Sequence, residues 1–132
     1  MRAQRSGTAR THAWVADETA VVGYFAVAPT QVRRESVPRS LTGGVSVIPG
    51  YLLARLALDR ALQGQGLGAE LLVEALQVIV AAADTAAGRL IVVDAIDDAA
   101  ASFYRHHDFR DIGAEGRRLV MTVATARSAV AP

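Results

Sequence analysis

Three glycines in six residues, Gln63-Gly64-Gln65-Gly66-Leu67-Gly68, constrain this chain more than any other stretch. An apolar run precedes them, Tyr51-Leu52-Leu53-Ala54-Arg55-Leu56-Ala57-Leu58, and reads as a strand. After them Leu67, Leu71, Leu72, Ala75, Val78, Ile79 and Ala82 recur at helical spacing, which predicts an amphipathic helix from Leu67 to about Ala83. Glycines at a strand-to-helix turn let the backbone approach a bulky ligand. The unpaired N–H groups of the first helical turn then favour an anion, so the stretch reads as a phosphate or pyrophosphate cradle. A structural reading, a tight turn with close helix–strand contact, stands beside it.

Two familiar glycine motifs fit poorly. A P-loop needs Lys-Ser/Thr after the last glycine, and Ala69-Glu70 follows here. A dinucleotide fingerprint can be written through Gly64, Gly66 and Ala69, but that motif belongs on the first strand of a larger parallel sheet. Here it lies mid-chain behind an antiparallel hairpin.

That hairpin is His12–Ala16 and Val21–Ala28, joined by a turn at Asp17-Glu18-Thr19 and ended by Pro29. Residues 31–50, with Pro38, Pro49 and Gly43-Gly44, read as a long connection with a short helix near Pro38. Beyond the helix, Leu90-Ile91-Val92-Val93 is a continuous apolar run, the mark of a strand buried on both faces. Strand, helix and strand should form a right-handed parallel crossover. Asp97 or Asp98 can cap a second helix over Ala99–Arg105. Residues 109–116 read as a turn region and Leu119–Thr125 as the last strand. The whole is one α/β domain over residues 1–132, with mixed α+β character: an antiparallel hairpin followed by β-α-β-α-β. Residues 1–10 and 127–132 read as flexible tails.

Composition narrows the chemistry. The chain has 132 residues and no cysteine, which excludes disulfides, thiolate metal sites and a cysteine nucleophile. No apolar run reaches a membrane-spanning length, no signal-peptide core follows Met1, and a cytoplasmic protein is the simplest reading. All 14 basic residues are arginine, yet the net charge is only +1. Coding bias explains the arginines in the simplest way; a local phosphate- or RNA-contacting patch is the sharper alternative.

Phe103-Tyr104-Arg105-His106-His107-Asp108-Phe109 is the second constellation. Tyr104 is either a core residue or a proton donor, because a phenol stays protonated at neutral pH. His106 and His107 are adjacent, so they point in different directions on a helix end, and no matching ligand set accompanies them; no metal is expected.

These two constellations, in this order, resemble the GNAT superfamily of acetyl-CoA-dependent N-acetyltransferases. Gln63, Gly66 and Gly68 match its R/Q-x-x-G-x-G/A pyrophosphate motif, and Phe103, Tyr104 and Phe109 match its F-Y-x-x-x-G-F signature. The resemblance runs from about Thr11 to Thr125. Leu53–Asp59 leading into Gln63–Gly68, together with Val22-Gly23-Tyr24-Phe25, is similar to the toxin-type, TacT-like branch of bacterial toxin–antitoxin pairs. Members of that branch acetylate the amino group of aminoacyl-tRNA and block translation.

The resemblance implies acetyl-CoA as co-substrate, its pyrophosphate held by the backbone of Gln63, Gly64, Gln65, Gly66, Leu67, Gly68 and Ala69. It implies pantetheine pairing along Leu56, Ala57 and Leu58, and Tyr104 as the proton donor to the departing thiolate. Asp97 or Ser102 could lie beside the coenzyme. It implies aminoacyl-tRNA as acceptor, a ribbon-helix-helix antitoxin as partner, and a homodimer. Arg33, Arg34, Arg39, Arg55 and Arg105 are the candidate tRNA contacts. Two departures stand out. Asp108 occupies the family's glycine position, and the chain starts late, without the first strand and helices that help form the family's acceptor groove. The rival readings are an acetyltransferase for a small amine or a protein N-terminus, and a coenzyme-binding domain without turnover.

Overall fold

The computed structural model describes residues 2–6, 10–16, 20–33, 47–58, 63, 66–84, 89–112 and 117–131, with backbone alone for 2–6, 10, 11, 14–16 and 20–22. The described strands are β1 (Arg2–Ser6), β2 (Arg10–Ala16), β3 (Ala20–Arg33), β4 (Val47–Leu58), β5 (Leu90–Asp94), β6 (Arg110–Ile112) and β7 (Arg118–Thr122). The described helices are α1 (Leu67–Ala83), α2 (Asp98–His106) and α3 (Val123–Val130). The strands form one sheet in the order β1-β2-β3-β4-β5-β7-β6. Every pairing is antiparallel except β4 with β5, which α1 connects as the expected crossover.

The apolar run of β5 does what its sequence predicts. Leu90, Ile91, Val92 and Val93 are all fully buried, and successive side chains enter different cores. Ile91 and Val93 join α1, α2 and α3 in the larger core. Leu90 and Val92 join Val32, Ile48, Ile112 and Val120 in the smaller one. The helix α1 buries Leu71, Leu72, Ala75, Leu76 and Ile79. Each fully buried Leu or Ile contributes roughly 1.5–3 kcal/mol, so this stripe fixes α1 against the sheet. Leu76 joins the predicted face, and Glu70 and Gln77 are exposed as expected.

Several elements differ from the sequence reading. Arg2–Ser6, read as a tail, pairs along β2 from Arg2↔Val15 to Ser6↔Thr11. Pro29 does not end its strand: β3 continues to Arg33, pairing with β4 as far as Arg33↔Val47. The described pairing of β2 stops at Val27, so Pro29 lies where β3 has a described neighbour on one side only. A missing N–H costs little on an open side. Strand β4 starts at Val47 rather than Tyr51, which shortens the supposed long connection from both ends; the short helix near Pro38 falls outside the described residues. Arg110–Ile112, read as turn, is a short edge strand on β7.

The C-terminal segment also differs. The final strand stops at Thr122, and residues 123–130, read as strand end and tail, form α3. The Thr122 hydroxyl accepts a hydrogen bond from the Thr125 backbone N–H at 3.0 Å, which starts the helix. Val123 and Ala126 face the core, and Arg127 Nη1 donates to Asp84 Oδ1 at 2.7 Å, tying α3 to the end of α1. Val120, Thr122, Val123 and Thr125 are β-branched and look strand-like in sequence. The cap at Thr122 decides otherwise.

Candidate active site

The site begins with a break in strand pairing. Strands β4 and β5 are paired from Gly50↔Leu90 to Leu53↔Val93. Beyond that point β4 runs on to Leu58 beside β3 alone, while β5 ends at Asp94. The cause is a β-bulge. Ala26 pairs with Arg55 and Val27 with Leu53, leaving Ala54 as an extra residue. A bulge bends its strand and increases local twist.

The bulge also reverses which face each side chain takes. Before it, Tyr51 and Leu53 belong to the helix-covered core. After it, Leu56 and Leu58 pack against that same core, a step of three between Leu53 and Leu56 rather than two. Without Ala54 as an extra residue, Arg55 would point into the helices. With it, Arg55 is exposed on the opposite face.

A groove of about 610 Å³ occupies the opening, between the end of β4, the start of α1 and one side of α2. Gly66 sits immediately before α1 at φ 78°, a left-handed conformation suited to glycine, and offers no side chain to cap the helix. The first intrahelical bond of the turn runs from Glu70 N–H to the Gly66 carbonyl at 3.4 Å. The N–H groups of Leu67, Gly68 and Ala69 therefore have no partner within the helix, which suits an anion.

The predicted coenzyme residues divide as follows. Leu56, Ala57, Leu58, Gln63, Gly66, Gly68 and Ala69 all line this groove. Leu67 does not: its side chain packs against the core, which leaves only its backbone N–H for a ligand. Gly64 and Gln65 lie outside the described residues. The Gln63 side chain has a structural task, donating from Nε2 to the Leu58 carbonyl at 3.0 Å and so clamping the turn to the end of β4. Asp97 lines the groove, but its Oδ1 is engaged as the α2 cap, accepting from Ala100 N–H at 2.8 Å. Ser102 is exposed and outside it. The sequence reading missed Leu71, Ile96 and the His106–His107 pair as wall residues. Spacing along α1 and α2 could have indicated them only once the angle between the helices was known.

Tyr104 lies where this groove meets a second cavity of about 340 Å³, lined among others by Tyr24, Arg55, Asp94 and Ala95. Leu56, Ala57, Ile96 and Ala100 border both spaces, and so does Tyr104. Its ring packs edge-on to Phe103 and Phe109, with centroids 5.4 Å apart in each case. Asp108 makes this possible at φ 71°, letting the chain turn so that Phe109 N–H reaches the Tyr104 carbonyl at 3.1 Å. The position that the family fills with glycine is thus left-handed here too. Burial pushes the Tyr104 phenol up to about 12. Its hydroxyl makes no hydrogen bond among the described residues, so a protonated donor stands at the junction.

The carboxylates near this junction are already engaged. Arg118 grips Asp94 with both ends of its fork, Nε to Oδ1 at 2.7 Å and Nη2 to Oδ2 at 2.8 Å. That hydrogen bonding holds the Asp94 carboxyl below its usual value. Asp94 is therefore a poor base. Among the described residues no group of three or more His, Asp or Glu side chains has the arrangement of a metal site. Of the candidate tRNA-contacting arginines, Arg105 is bound to Asp111 through Nε at 2.8 and 3.1 Å. Arg34 and Arg39 lie outside the described residues. Arg33 and Arg55 are exposed and without a carboxylate partner among them.

The family model of the acetyltransferase (GNAT) domain matches residues 9–111, which include the parting of β4 from β5, the start of α1 and Tyr104. The chain belongs to the GNAT acetyltransferase family. It is an N-acetyltransferase by that membership, with acetyl-CoA as the family's acetyl donor. Over 111 residues this GNAT chain is 37% identical to the tRNA-acetylating toxin of Mycobacterium tuberculosis, covering 83% of this chain and 67% of that protein. Among solved structures, AtaT complexed with acetyl-methionyl-tRNAfMet superposes with a TM-score of 0.82 at 26% identity, over 93% of this chain and 76% of that one. A tyrosine-to-phenylalanine mutant of the AtaT toxin, bound to the C-terminus of its antitoxin AtaR and to acetyl-CoA, superposes with a TM-score of 0.79 at 25% identity, over 94% and 74%.

Proposed function

We propose that this chain is a toxin-type enzyme that transfers acetyl from acetyl-CoA to the α-amine of aminoacyl-tRNA and so blocks translation. The observation that carries this reading is the placement of Tyr104 at the junction of the two cavities. The coenzyme enters along the groove, its pyrophosphate on the first-turn N–H groups of α1 and its pantetheine arm beside Leu56–Leu58. The acceptor amine enters through the second cavity.

The amine nitrogen attacks the thioester carbonyl carbon, and the carbon–sulfur bond breaks as the amide forms. The amine's surplus proton leaves to water. Tyr104 donates a hydrogen bond to the sulfur as negative charge collects there. With its phenol near 12, full proton transfer to a free thiolate of pKa about 8.5 runs uphill. The same dry surroundings raise the basicity of the sulfur, which narrows the gap. Tyr104 therefore acts as a charge-stabilising donor and keeps its proton, and the departing thiolate is protonated by the water that received the amine's proton.

The engaged carboxylates favour an α-amine. An α-amino group has a pKa near 8 and is partly neutral at cellular pH without help. A lysine amine, near 10.4, needs a base, and Asp94 and Asp97 are both occupied. The tRNA-acetylating relative points the same way. By the same kinship, a ribbon-helix-helix antitoxin is the partner, and the enzyme works as a homodimer in the cytoplasm. Purified protein incubated with radiolabelled acetyl-CoA and total charged tRNA should yield acetyl-aminoacyl-tRNA, and Tyr104→Phe should yield far less. Acetylation of a peptide amine with charged tRNA left untouched would overturn this reading.

A further inference from the structure

Arg55 is turned by the bulge at Ala54 out of the helix-covered core and onto the rim of the acceptor-side cavity. A bulge that re-aims one side chain beside a reactive centre calls for a use of that side chain. Arg55 has no ion-pair or hydrogen-bond partner among the described residues. The other charged residue of the cavity, Asp94, is saturated by Arg118 from the neighbouring strand. The cavity thus presents one carboxylate already paired from outside it and one unmatched positive charge, and its net preference is for an anion.

Tyr24 refines the class of anion. Arg55 pairs across the strands with Ala26, so Tyr24, two residues away on β3, is its diagonal neighbour on the same face. Tyr24 lines the same cavity and is half-buried. A guanidinium beside a partly exposed aromatic ring suits a nucleotide: the fork binds phosphate oxygens in pairs, and the ring offers a stacking face to a base. A peptide N-terminus or a simple amine carries neither group.

We infer that Arg55 is an acceptor-positioning residue that binds the phosphodiester next to the aminoacylated terminal nucleotide, holding the α-amine toward Tyr104. This rests on the acetyl-transfer function proposed above. A charge-assisted contact of this kind changes binding by roughly ten- to a hundredfold.

The test uses two short acceptors carrying the amino acid that the wild type acetylates in charged tRNA. One is the amide-linked aminoacyl-adenosine, without phosphate; the other is the same compound extended by a 5′ cytidylyl unit, which adds a single phosphodiester. The wild type should prefer the phosphodiester acceptor in kcat/KM by about tenfold or more. Arg55→Ala should erase that preference, bringing kcat/KM for the phosphodiester acceptor down to that for the phosphate-free one, and Arg55→Lys should retain part of it. With full-length charged tRNA, Arg55→Ala should lower the slope of log affinity against log salt by about one contact's worth. Because Arg55 is exposed, its variants should keep the wild-type melting temperature. An Arg55→Ala enzyme that retains the preference overturns the assignment and leaves the enzymatic function intact. A wild type that binds acetyl-CoA but acetylates none of these acceptors overturns the function itself, and the role of Arg55 with it.

Discussion

Replacing Gly68 by alanine separates the needs of the fold from those of the ligand. A Cβ built on Gly68 would lie 3.6 and 3.8 Å from the Phe103 ring, ordinary van der Waals contact, and no positive φ opposes it. Gly68 is in the first turn of α1, where alanine is favoured over glycine by up to about 1 kcal/mol. The apo variant should therefore melt higher, by roughly 3–4 °C for a domain of this size. Yet Gly68 and Phe103 both line the groove proposed for the coenzyme, and the added methyl fills the space between them. Acetyl-CoA should bind about tenfold more weakly, the equivalent of roughly 1.4 kcal/mol. Thermal melting with and without coenzyme reads both effects. At a concentration of about a hundred wild-type dissociation constants, binding stabilises the wild type by about 2.7 kcal/mol. The variant, about tenfold weaker, should gain only about 1.4 kcal/mol, half the shift. A variant that melts lower without ligand would refute the packing argument. One that keeps the full coenzyme shift would refute the assignment of Gly68 to the ligand. Two other glycines calibrate the result. Gly66→Ala has open space but a φ of 78°, so strain alone should cost about 1 kcal/mol. Gly50→Ala would bring its Cβ to 2.6 Å from the Leu90 carbonyl oxygen, a backbone atom at the start of the β4–β5 pairing. That should cost about 3 kcal/mol or more, enough to show as poor soluble expression.

Further outcomes follow from the site and its supports. Tyr104→Phe should lower kcat by about a hundredfold while leaving coenzyme affinity and neutral-pH stability near wild type, since the hydroxyl has no hydrogen-bond partner among the described residues; unchanged kcat would remove Tyr104 from the chemistry. Because burial raises the folded phenol to about 12 from 10, the folded state holds its proton after the unfolded chain has lost it. Stability should therefore fall as pH rises from about 10 to about 12, by about 2–3 kcal/mol, and this part of the loss should vanish in Tyr104→Phe when alkaline urea melts are compared. The Asp94–Arg118 pair has the opposite sign: a carboxyl lowered on folding contributes above its ordinary value of 3.8 and loses that contribution as pH falls below it. Both partners are about half exposed, so Arg118→Ala should reduce acid resistance by less than about 1 kcal/mol. At the left-handed position 108, Asp108→Gly should be at least as stable as wild type and Asp108→Ala less stable by about 1 kcal/mol; equal urea midpoints for the two variants would contradict the strain argument.

How legible the site was depended on how local each signal is. The α1 stripe, the β5 run, the α2 cap (Asp97, of the two candidates Asp97 and Asp98) and the left-handed turn at Asp108 are each set by residues within a few positions of one another. They emerged where the sequence placed them. Gly66, Gly68 and Tyr104 likewise come to line one groove, and their neighbours along the chain are enough to mark them. Local signals misled at Pro29, where tolerance depends on whether a strand lies alongside. They misled again at Val123–Val130, where β-branched residues hid a helix that Thr122 starts and the α1 surface completes. Arg55 and Arg105 also look equivalent in sequence, although Asp111 clamps Arg105 and no described carboxylate holds Arg55.

By itself the sequence determined the parts: a strand, a glycine turn, an amphipathic helix, and a tyrosine helix further on, because hydrophobic period, turn chemistry and capping act over short stretches of chain. Only the tertiary structure decided their use. The extra residue at Ala54 exists only relative to β3, since a bulge is a mismatch between two strands. That mismatch parts β4 from β5, opens the groove, puts Tyr104 where two cavities meet, and turns Arg55 outward. The burial that raises the phenol's pKa is likewise supplied by packing among distant segments, which no local pattern in the chain records.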